Sequence, residues 1–208
     1  MKKAIILDLD NTIYPVSSIA EYLFNKVFEF LDSLADELSI DEIDKAKEEM
    51  KKRPYQWVAD KYNFSEAAKN KGLDLLKNLE YDLPMQPYEE YRYISDTKIV
   101  KFLVTTGFTK LQRSKIKLLG IEHDFKAIYI VDPEVSSETK KDIFAIIMNT
   151  NDFKPEDLLI IGDDPESEIK AAITLGIDTF LFDPENRHPN AQVNHSSKNL
   201  KDAVPLFA

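Results

Sequence analysis

The chain has 208 residues with 37 acidic and 27 basic side chains, so its formal net charge is −10, and it has no cysteine. This length fits one domain with a modest insertion, and the lack of cysteine excludes a disulfide framework and a thiolate metal site. The acidic balance argues against a nucleic acid polymer or a membrane surface as the partner, because both are anionic. A small anionic substrate is compatible with it, since a bound cation can invert the local field.

The first part of the chain predicts one strand followed by helices. Residues 3–8 form a short apolar run typical of a buried strand. The run stops at Asp8, too early for a signal peptide or a membrane span, so we expect a cytoplasmic protein. Apolar residues then recur at helical spacing over four segments: 17–39, 41–52, 54–62 and 65–79. Pro84 and Pro87 mark a linker after them.

After the linker, short apolar runs alternate with helical patterns. The predicted strands are 98–104, 127–131, 158–161 and 178–182. The predicted helices are 109–119, 137–150 and 165–175. Ser136 or Ser137 is expected to cap the second of these helices. Such alternation predicts an α/β fold, a doubly wound, Rossmann-like parallel sheet of residues 1–14 and 87–208, interrupted by an all-helical cap of residues 15–86.

Two carboxylates follow the first predicted strand, at Asp8 and Asp10. Ligands of doubly wound sheets bind beyond the carboxyl ends of the strands. Like charges this close raise each other's pKa unless a cation is present, and a hard divalent cation with oxygen ligands is the simple remedy. The alternative without a ligand is an Asx turn leading out of the strand.

The second and fourth strands of the predicted sheet core also end in polar groups. The second ends in Thr105, Thr106 and Gly107, where a hydroxyl and backbone N–H groups before a helix form a small anion cradle. The fourth ends in the segment 162–164, Gly-Asp-Asp, with Glu168 shortly after it. Acidic residues also favour a helix N-terminus, which explains some of these acids but less well an acid directly after a buried strand.

Lys140 lies near the start of a predicted helix, where a positive charge is unfavourable to the helix dipole. If it points into the same crevice, it can neutralise carboxylates and a phosphate. A solvated lysine is the alternative.

These segments, in this order, resemble the motifs of the haloacid dehalogenase superfamily of phosphohydrolases. The matching residues are Asp8, Asp10 and Thr12 for the first motif, Thr105 for the second, Lys140 for the third, and Gly162, Asp163 and Glu168 for the fourth. A helical cap inserted after the first motif is also similar to that family. Within the family, Asn11-Thr12-Ile13-Tyr14-Pro15 followed by a long cap looks like the branch with pyrimidine 5′-nucleotidase-like phosphatases.

Two positions depart from the family pattern. Glu168 stands where the fourth motif usually has Asp, which leaves open an indirect contact to the metal or a direct role for Asp164. The third motif usually has a proline after its lysine, and here Lys140 and Lys141 compete. The distance along the chain to the apolar pair 143–144 favours Lys140.

The resemblance implies a phosphatase that uses Mg²⁺ and acts on a small phosphorylated metabolite, a nucleotide or a sugar phosphate. Asp8 would attack phosphorus to give an aspartyl-phosphate, and Asp10 would be the general acid and base. The implied metal ligands are Asp8, the backbone carbonyl of Asp10, and Asp163, with Asp164 and Glu168 behind them. The implied phosphate ligands are Thr105, Thr106, Gly107 and Lys140. A phosphomutase, or a phosphate-binding protein without turnover, is the alternative.

Three other features are interpreted as structural. Tyr55, Trp57 and Tyr62 have helical spacing and are expected in the core rather than stacked on a substrate. The basic stretch 110–117 predicts the solvated face of a helix. The histidines lack the spacing of metal ligands.

Overall fold

A six-stranded, all-parallel sheet organises the computed structural model, which describes residues 1–207. The strands are β1 (Ala4–Leu7), β2 (Val100–Thr106), β3 (Ala127–Val131), β4 (Leu158–Gly162), β5 (Asp178–Phe182) and β6 (His195–Ser197). Their order is β3-β2-β1-β4-β5-β6, so the winding direction reverses between β1 and β4. In such sheets the point of reversal opens a crevice at the carboxyl ends of the strands. The predicted fold class is confirmed.

The centre of the sheet is buried on both faces. Leu7 pairs in register with Leu103 on one side and Ile161 on the other, and every residue of β1 and β4 is buried. Central parallel strands covered by helices are expected to be continuously apolar. The chain therefore leaves β1 at Asp8, between the ends of β2 and β4.

Only helical elements lie between β1 and β2. They are α1 (Ala20–Leu23), α2 (Asn25–Asp32), α3 (Ile40–Met50), α4 (Tyr55–Lys61), α5 (Glu66–Lys77) and α6 (Tyr91–Ser95), preceded by a 3₁₀ turn at Val16–Ser18. The single helix predicted over 17–39 is wrong, because it is divided and ends at α2. There the Ser33 hydroxyl donates to the Phe30 carbonyl at 2.6 Å, a local bond that competes with helix continuation. The helix α6 was not predicted.

The insertion shares apolar packing with the sheet. A continuous cluster of buried side chains runs from Leu7 through Ile13 into the insertion at Val27, Leu31 and Ile43. This cluster holds the helices over the carboxyl ends of the strands, where they form a roof.

The aromatic prediction for the insertion is correct in part. Tyr55 is buried and Tyr62 half-buried, but Trp57 is 44% exposed. The side chains of Arg53 and Lys61 lie over its ring instead of core side chains, with the cationic groups 5.7 and 4.8 Å from the ring centroid.

The second part of the chain covers the sheet with three helices: α7 (Thr109–Leu119), α8 (Lys140–Asn151) and α9 (Lys170–Thr174). The N-cap of α8 is Thr139 in a capping box with Asp142, rather than Ser136 or Ser137. Ser136 accepts from the Glu138 backbone N–H at 3.3 Å and is therefore engaged earlier in the loop.

The helix predicted over 165–175 begins as a π-helical turn, Pro165–Ile169, and only then continues as α9. The polar tail, which shows no clear pattern, contains β6 and a 3₁₀ helix at Leu200–Leu206. Across residues 1–207, no helix combines the length and the apolar character that a membrane crossing requires.

Candidate active site

The polar residues predicted at the strand ends line one cavity of about 240 Å³. They are Asp8, Asp10, Thr105, Thr106, Gly107, Lys140, Asp163, Asp164 and Glu168. The sheet forms the floor of the cavity and the helical insertion forms its roof. Residues far apart in the chain meet here because the parallel strands β1, β2 and β4 end side by side.

Three buried carboxylates form the centre of the site. Oxygens of Asp8, Asp163 and Glu168 all lie within 4.8 Å of one another. Two cationic groups contact them: Lys140 Nζ donates to Asp8 and Glu168, each at 2.7 Å, and Arg187 Nη2 donates to Asp163 at 2.9 Å. When all three carboxylates are ionised, the cluster therefore carries an excess of negative charge.

Burial dominates the protonation of this cluster. It raises the pKa of Asp8 to about 7, although Lys140 acts in the opposite direction. It also raises the pKa of Asp163 well above its ordinary value, with further contributions from Glu168 and Asp8. Oxygen donors with unbalanced negative charge are the ligands that Mg²⁺ takes in proteins, so these residues fit such an ion.

Lys140, rather than Lys141, points into the cavity. Lys140 is the first residue of α8, and its side chain is 8% exposed, whereas Lys141 is exposed to solvent. Burial alone would lower the pKa of Lys140, but Asp8 and Glu168 outweigh burial, so its pKa lies above the ordinary value. Its charge is therefore permanent at neutral pH.

Glu168 joins the carboxylate cluster, whereas Asp164 turns away from it. Glu168 Oε1 accepts from the Asp164 backbone N–H at 2.8 Å, and its other oxygen accepts from Lys140. The Asp164 carboxylate accepts from Arg53 of the insertion at 2.8 Å and from the Glu166 backbone N–H at 2.9 Å. Of the two acids, Glu168 is therefore the one whose carboxylate lies beside those of Asp8 and Asp163.

Gly162, the last residue of β4, makes room for Glu168. A Cβ atom at Gly162 would lie 2.2 Å from Glu168 Oε1 and 2.4 Å from its Cγ. Glycine at 162 is therefore needed for this arrangement, since any side chain there would displace Glu168.

Asp10 is held by three side chains. Lys115 Nζ donates to both carboxylate oxygens at 2.9 and 3.2 Å, Gln112 Nε2 donates at 3.0 Å, and the Tyr14 hydroxyl also donates to Asp10. Burial would raise the pKa of Asp10, but Lys115, followed by Tyr14 and Gln112, outweighs it and lowers the pKa below 3.8. The free protein therefore keeps Asp10 ionised.

The interpretation of 110–117 as a solvated face is wrong for three of its polar residues, because Gln112, Ser114 and Lys115 are buried. Gln112 and Lys115 are 1% and 3% exposed, on the same face of α7 as the buried Leu111 and Ile116. The signal was present in the sequence, because helical spacing places both polar residues in phase with those apolar ones.

The anion cradle at the end of β2 has less donor capacity than expected. Thr105 Oγ1 accepts from Gln112 at 2.7 Å, and the Gly107 N–H donates to the Val131 carbonyl at 3.0 Å. Gly107 has a φ of +148°, which a residue with a side chain rarely adopts. Gly107 therefore contributes the turn rather than a free N–H, while Thr106 lines the cavity.

Sequence reasoning missed Arg187, which lies in the loop after β5. The Asp183 carboxylate holds this loop by accepting the backbone N–H of Arg187 at 2.8 Å and of His188 at 2.7 Å. Asn186 supports the turn with a φ of 56°. No periodic pattern marks the segment, and only its Asp and Asn turn residues could have indicated an ordered loop.

The strand order, the carboxylates after β1 and β4, and the helical roof together define a doubly wound α/β protein with a capped, cation-compatible site. A family model described as haloacid dehalogenase-like hydrolase matches residues 2–176. The chain belongs to that family.

Known proteins resemble the chain at low identity. A ribulose-1,5-bisphosphate 5-phosphatase of Halopiger xanaduensis is 29% identical over 87 residues, a segment that covers 41% of this chain and 36% of that protein. A magnesium-bound HAD hydrolase of Bacillus subtilis superposes with a TM-score of 0.68 at 18% identity, covering 99% and 98% of the two chains. A HAD phosphatase of Thermococcus onnurineus gives 0.65 at 17% identity over 100% and 98%. The structural likeness shows the shared fold.

Proposed function

We propose that the protein is a cytoplasmic, Mg²⁺-dependent phosphatase. It hydrolyses a small phosphomonoester, either a nucleotide or a sugar phosphate, through an aspartyl-phosphate intermediate. The observation that carries the proposal is the placement of Asp8 in one cavity with Lys140, Asp163 and a second acid, Asp10. Nucleophile, counter-charge, cation ligands and proton carrier are thus within reach of a single phosphoryl group.

In the proposed reaction, Asp8 attacks phosphorus and the ester oxygen leaves. Lys140 holds the attacking carboxylate and neutralises charge on a phosphate oxygen. Thr105 and Thr106 orient the phosphoryl group at the end of β2.

Because the free protein keeps Asp10 ionised, Asp10 must first take up a proton, such as the one carried by a monoanionic phosphoester, before it gives a proton to the leaving oxygen. In the second step the ionised Asp10 takes a proton from the water that attacks phosphorus and releases the Asp8 carboxylate. The ionised form favoured by Lys115 suits the second step.

The cation would be held by Asp8 and Asp163 and by the backbone carbonyl of Asp10, with Glu168 beside them. Asp164, also expected near the cation, accepts from Arg53 instead. Bound there, Mg²⁺ supplies the charge that lets a carboxylate approach a phosphate dianion. The carboxylate cluster and a magnesium-bound relative of the same fold support this assignment.

Two observations favour phosphatase chemistry over the other reactions of the family. Asp10 provides a proton for the leaving group, which an alcohol needs and a halide does not. Two of the similar proteins are named phosphatases.

Release of phosphate from p-nitrophenyl phosphate and from a panel of nucleotides and sugar phosphates tests the proposal. We expect activity that requires Mg²⁺ and is lost in Asp8→Asn, whereas Asp36→Asn, an exposed acid of the insertion, should keep it. No phosphate release from any member of the panel would refute the proposal. Isomerisation of a sugar phosphate without phosphate release would indicate a phosphomutase instead.

A further inference from the structure

The roof of the cavity carries a positive charge that the proposed chemistry does not use. Lys51, Lys52 and Arg53, termed here the cationic loop, connect α3 to α4, and all three line the cavity. The other insertion residues that line it are Val16, Phe24, Met50, Pro54, Tyr55, Gln56 and Leu76. None of these is acidic, although the chain as a whole has a net charge of −10.

Arg53 is fixed in place at the boundary between roof and floor. Its Nη1 donates to Asp164 at 2.8 Å, and the guanidinium lies 5.7 Å from the Trp57 ring centroid. A guanidinium has five N–H donors, and Asp164 accepts from one of them. The remaining donors form a preorganised fork of the kind that binds carboxylates and phosphates.

Neither lysine of the cationic loop is held by a strong ion pair, so both can bind an anion. Within residues 1–207, Lys51 pairs only with Glu48 of the preceding helix α3, and the Glu48 side chain is 65% exposed, so the pair is a weak surface contact. Lys52 is exposed and forms no ion pair within residues 1–207. An anion that binds at the roof would therefore have to break only the weak ion pair between Lys51 and Glu48.

Apolar side chains line the cavity together with these charged groups. Phe24, Met50 and Leu76 of the insertion contribute to this surface. A ligand that extends from Asp8 toward the roof would therefore meet both apolar and cationic groups of the insertion.

We propose that the cationic loop binds a second anionic group of the substrate, so that the protein selects phosphomonoesters that carry another phosphate or a carboxylate. This inference rests on the proposed phosphatase function and names its substrate class. The loop acts on the part of the substrate away from the scissile phosphate, and the chemistry at Asp8 does not require it.

Matched substrate pairs test the proposal. Fructose 1,6-bisphosphate is compared with fructose 6-phosphate for a second phosphate, and 3-phosphoglycerate with glycerol 3-phosphate for a carboxylate. We expect kcat/KM of the wild type to favour the doubly anionic member of at least one pair by about tenfold, the scale of one charge-assisted contact. The pair that shows the preference identifies the anion.

The double variant Lys52→Gln/Arg53→Gln should lose this preference. Because the preference is a ratio of two substrates on one protein, a general change in activity cancels. The control Lys45→Gln/Lys71→Gln removes the same charge from exposed positions of the insertion outside the cavity, and should keep both the ratio and the activity. An equal ratio in the wild type and the double variant would overturn the proposal.

Binding separates this inference from the proposed function. Calorimetry on Asp8→Asn with the same compounds measures the preference without turnover. If p-nitrophenyl phosphate is not hydrolysed but the doubly anionic compounds still bind more tightly through the loop, the phosphatase assignment fails and the anion subsite stands. If hydrolysis occurs and neither pair is distinguished in turnover or binding, the subsite is refuted.

Discussion

Replacing Lys140 by Met tests the electrostatics of the candidate site most directly. The ammonium group contacts two carboxylates at 2.7 Å, and the three side chains are 8% or less exposed. Removing one partner of such a buried pair costs about 3–5 kcal/mol, because an uncompensated charge is left in the interior. We expect the free energy of unfolding of Lys140→Met to fall by about this amount at pH 8.

The loss should shrink at lower pH. The pKa of Asp8 is already raised to about 7, and without Lys140 it would rise further. At about pH 5 the proton on Asp8 then replaces the lost cation, so the variant approaches the wild type. The pH dependence therefore separates an electrostatic role of Lys140 from simple loss of packing.

Urea unfolding in EDTA at both pH values provides the measurement. Lys141→Met is the matched control, since Lys141 is adjacent in sequence and exposed, and it should stay within about 0.5 kcal/mol of the wild type. Equal stability of the two variants at pH 8, or a loss in Lys140→Met that does not change with pH, would refute the reasoning.

Three further predictions concern the same site. The pKa of Asp8 is raised from 3.8 to about 7, so in EDTA the free energy of unfolding should fall by about 4 kcal/mol as pH rises from about 4 through 7. Mg²⁺ should restore the urea midpoint at neutral pH. Gly162→Ala should displace Glu168, lower stability by about 1–3 kcal/mol and weaken Mg²⁺ binding in calorimetry. Lys115→Met should cost about 2 kcal/mol near pH 7, and because the pKa of Asp10 is lowered, this difference should vanish as pH falls below about 3.8.

Each of these three predictions has a control variant or a result that would contradict it. A urea midpoint that rises with pH in EDTA would contradict the first. Gly120 lies away from the cavity and has a φ of 68°, so Gly120→Ala strains the backbone without touching Glu168. It should lower stability without changing the affinity for Mg²⁺, and it is therefore the control for Gly162→Ala. Lys110→Met changes an exposed lysine of α7, and a loss as large as that of Lys115→Met would contradict the third.

The sheet could be predicted from the sequence because its central strands are buried on both faces and read as short apolar runs. The residues that follow these strands could be placed together for the same reason, since parallel strands end at one edge. Their chemical roles stay predictions until the variants are measured.

The contacts that were missed depend on long-range geometry. Gln112 and Lys115 reach Asp10 across 102 and 105 residues of sequence, and nothing local to α7 indicates this target. The exposure of Trp57 likewise depends on which surfaces the insertion packs against. A periodic pattern identifies a helix but does not specify its neighbours.

The site extends beyond the residues that match the family model, because it includes Arg187. The family model ends at residue 176, before β5 begins, yet Arg187 contacts Asp163, one of the three clustered carboxylates. The loop that presents Arg187 is anchored at Asp183 and returns to the sheet as β6. A fragment cut at the boundary of the match would keep every residue of the family motifs but leave Asp163 without its counter-charge, so the motifs alone do not delimit a working unit.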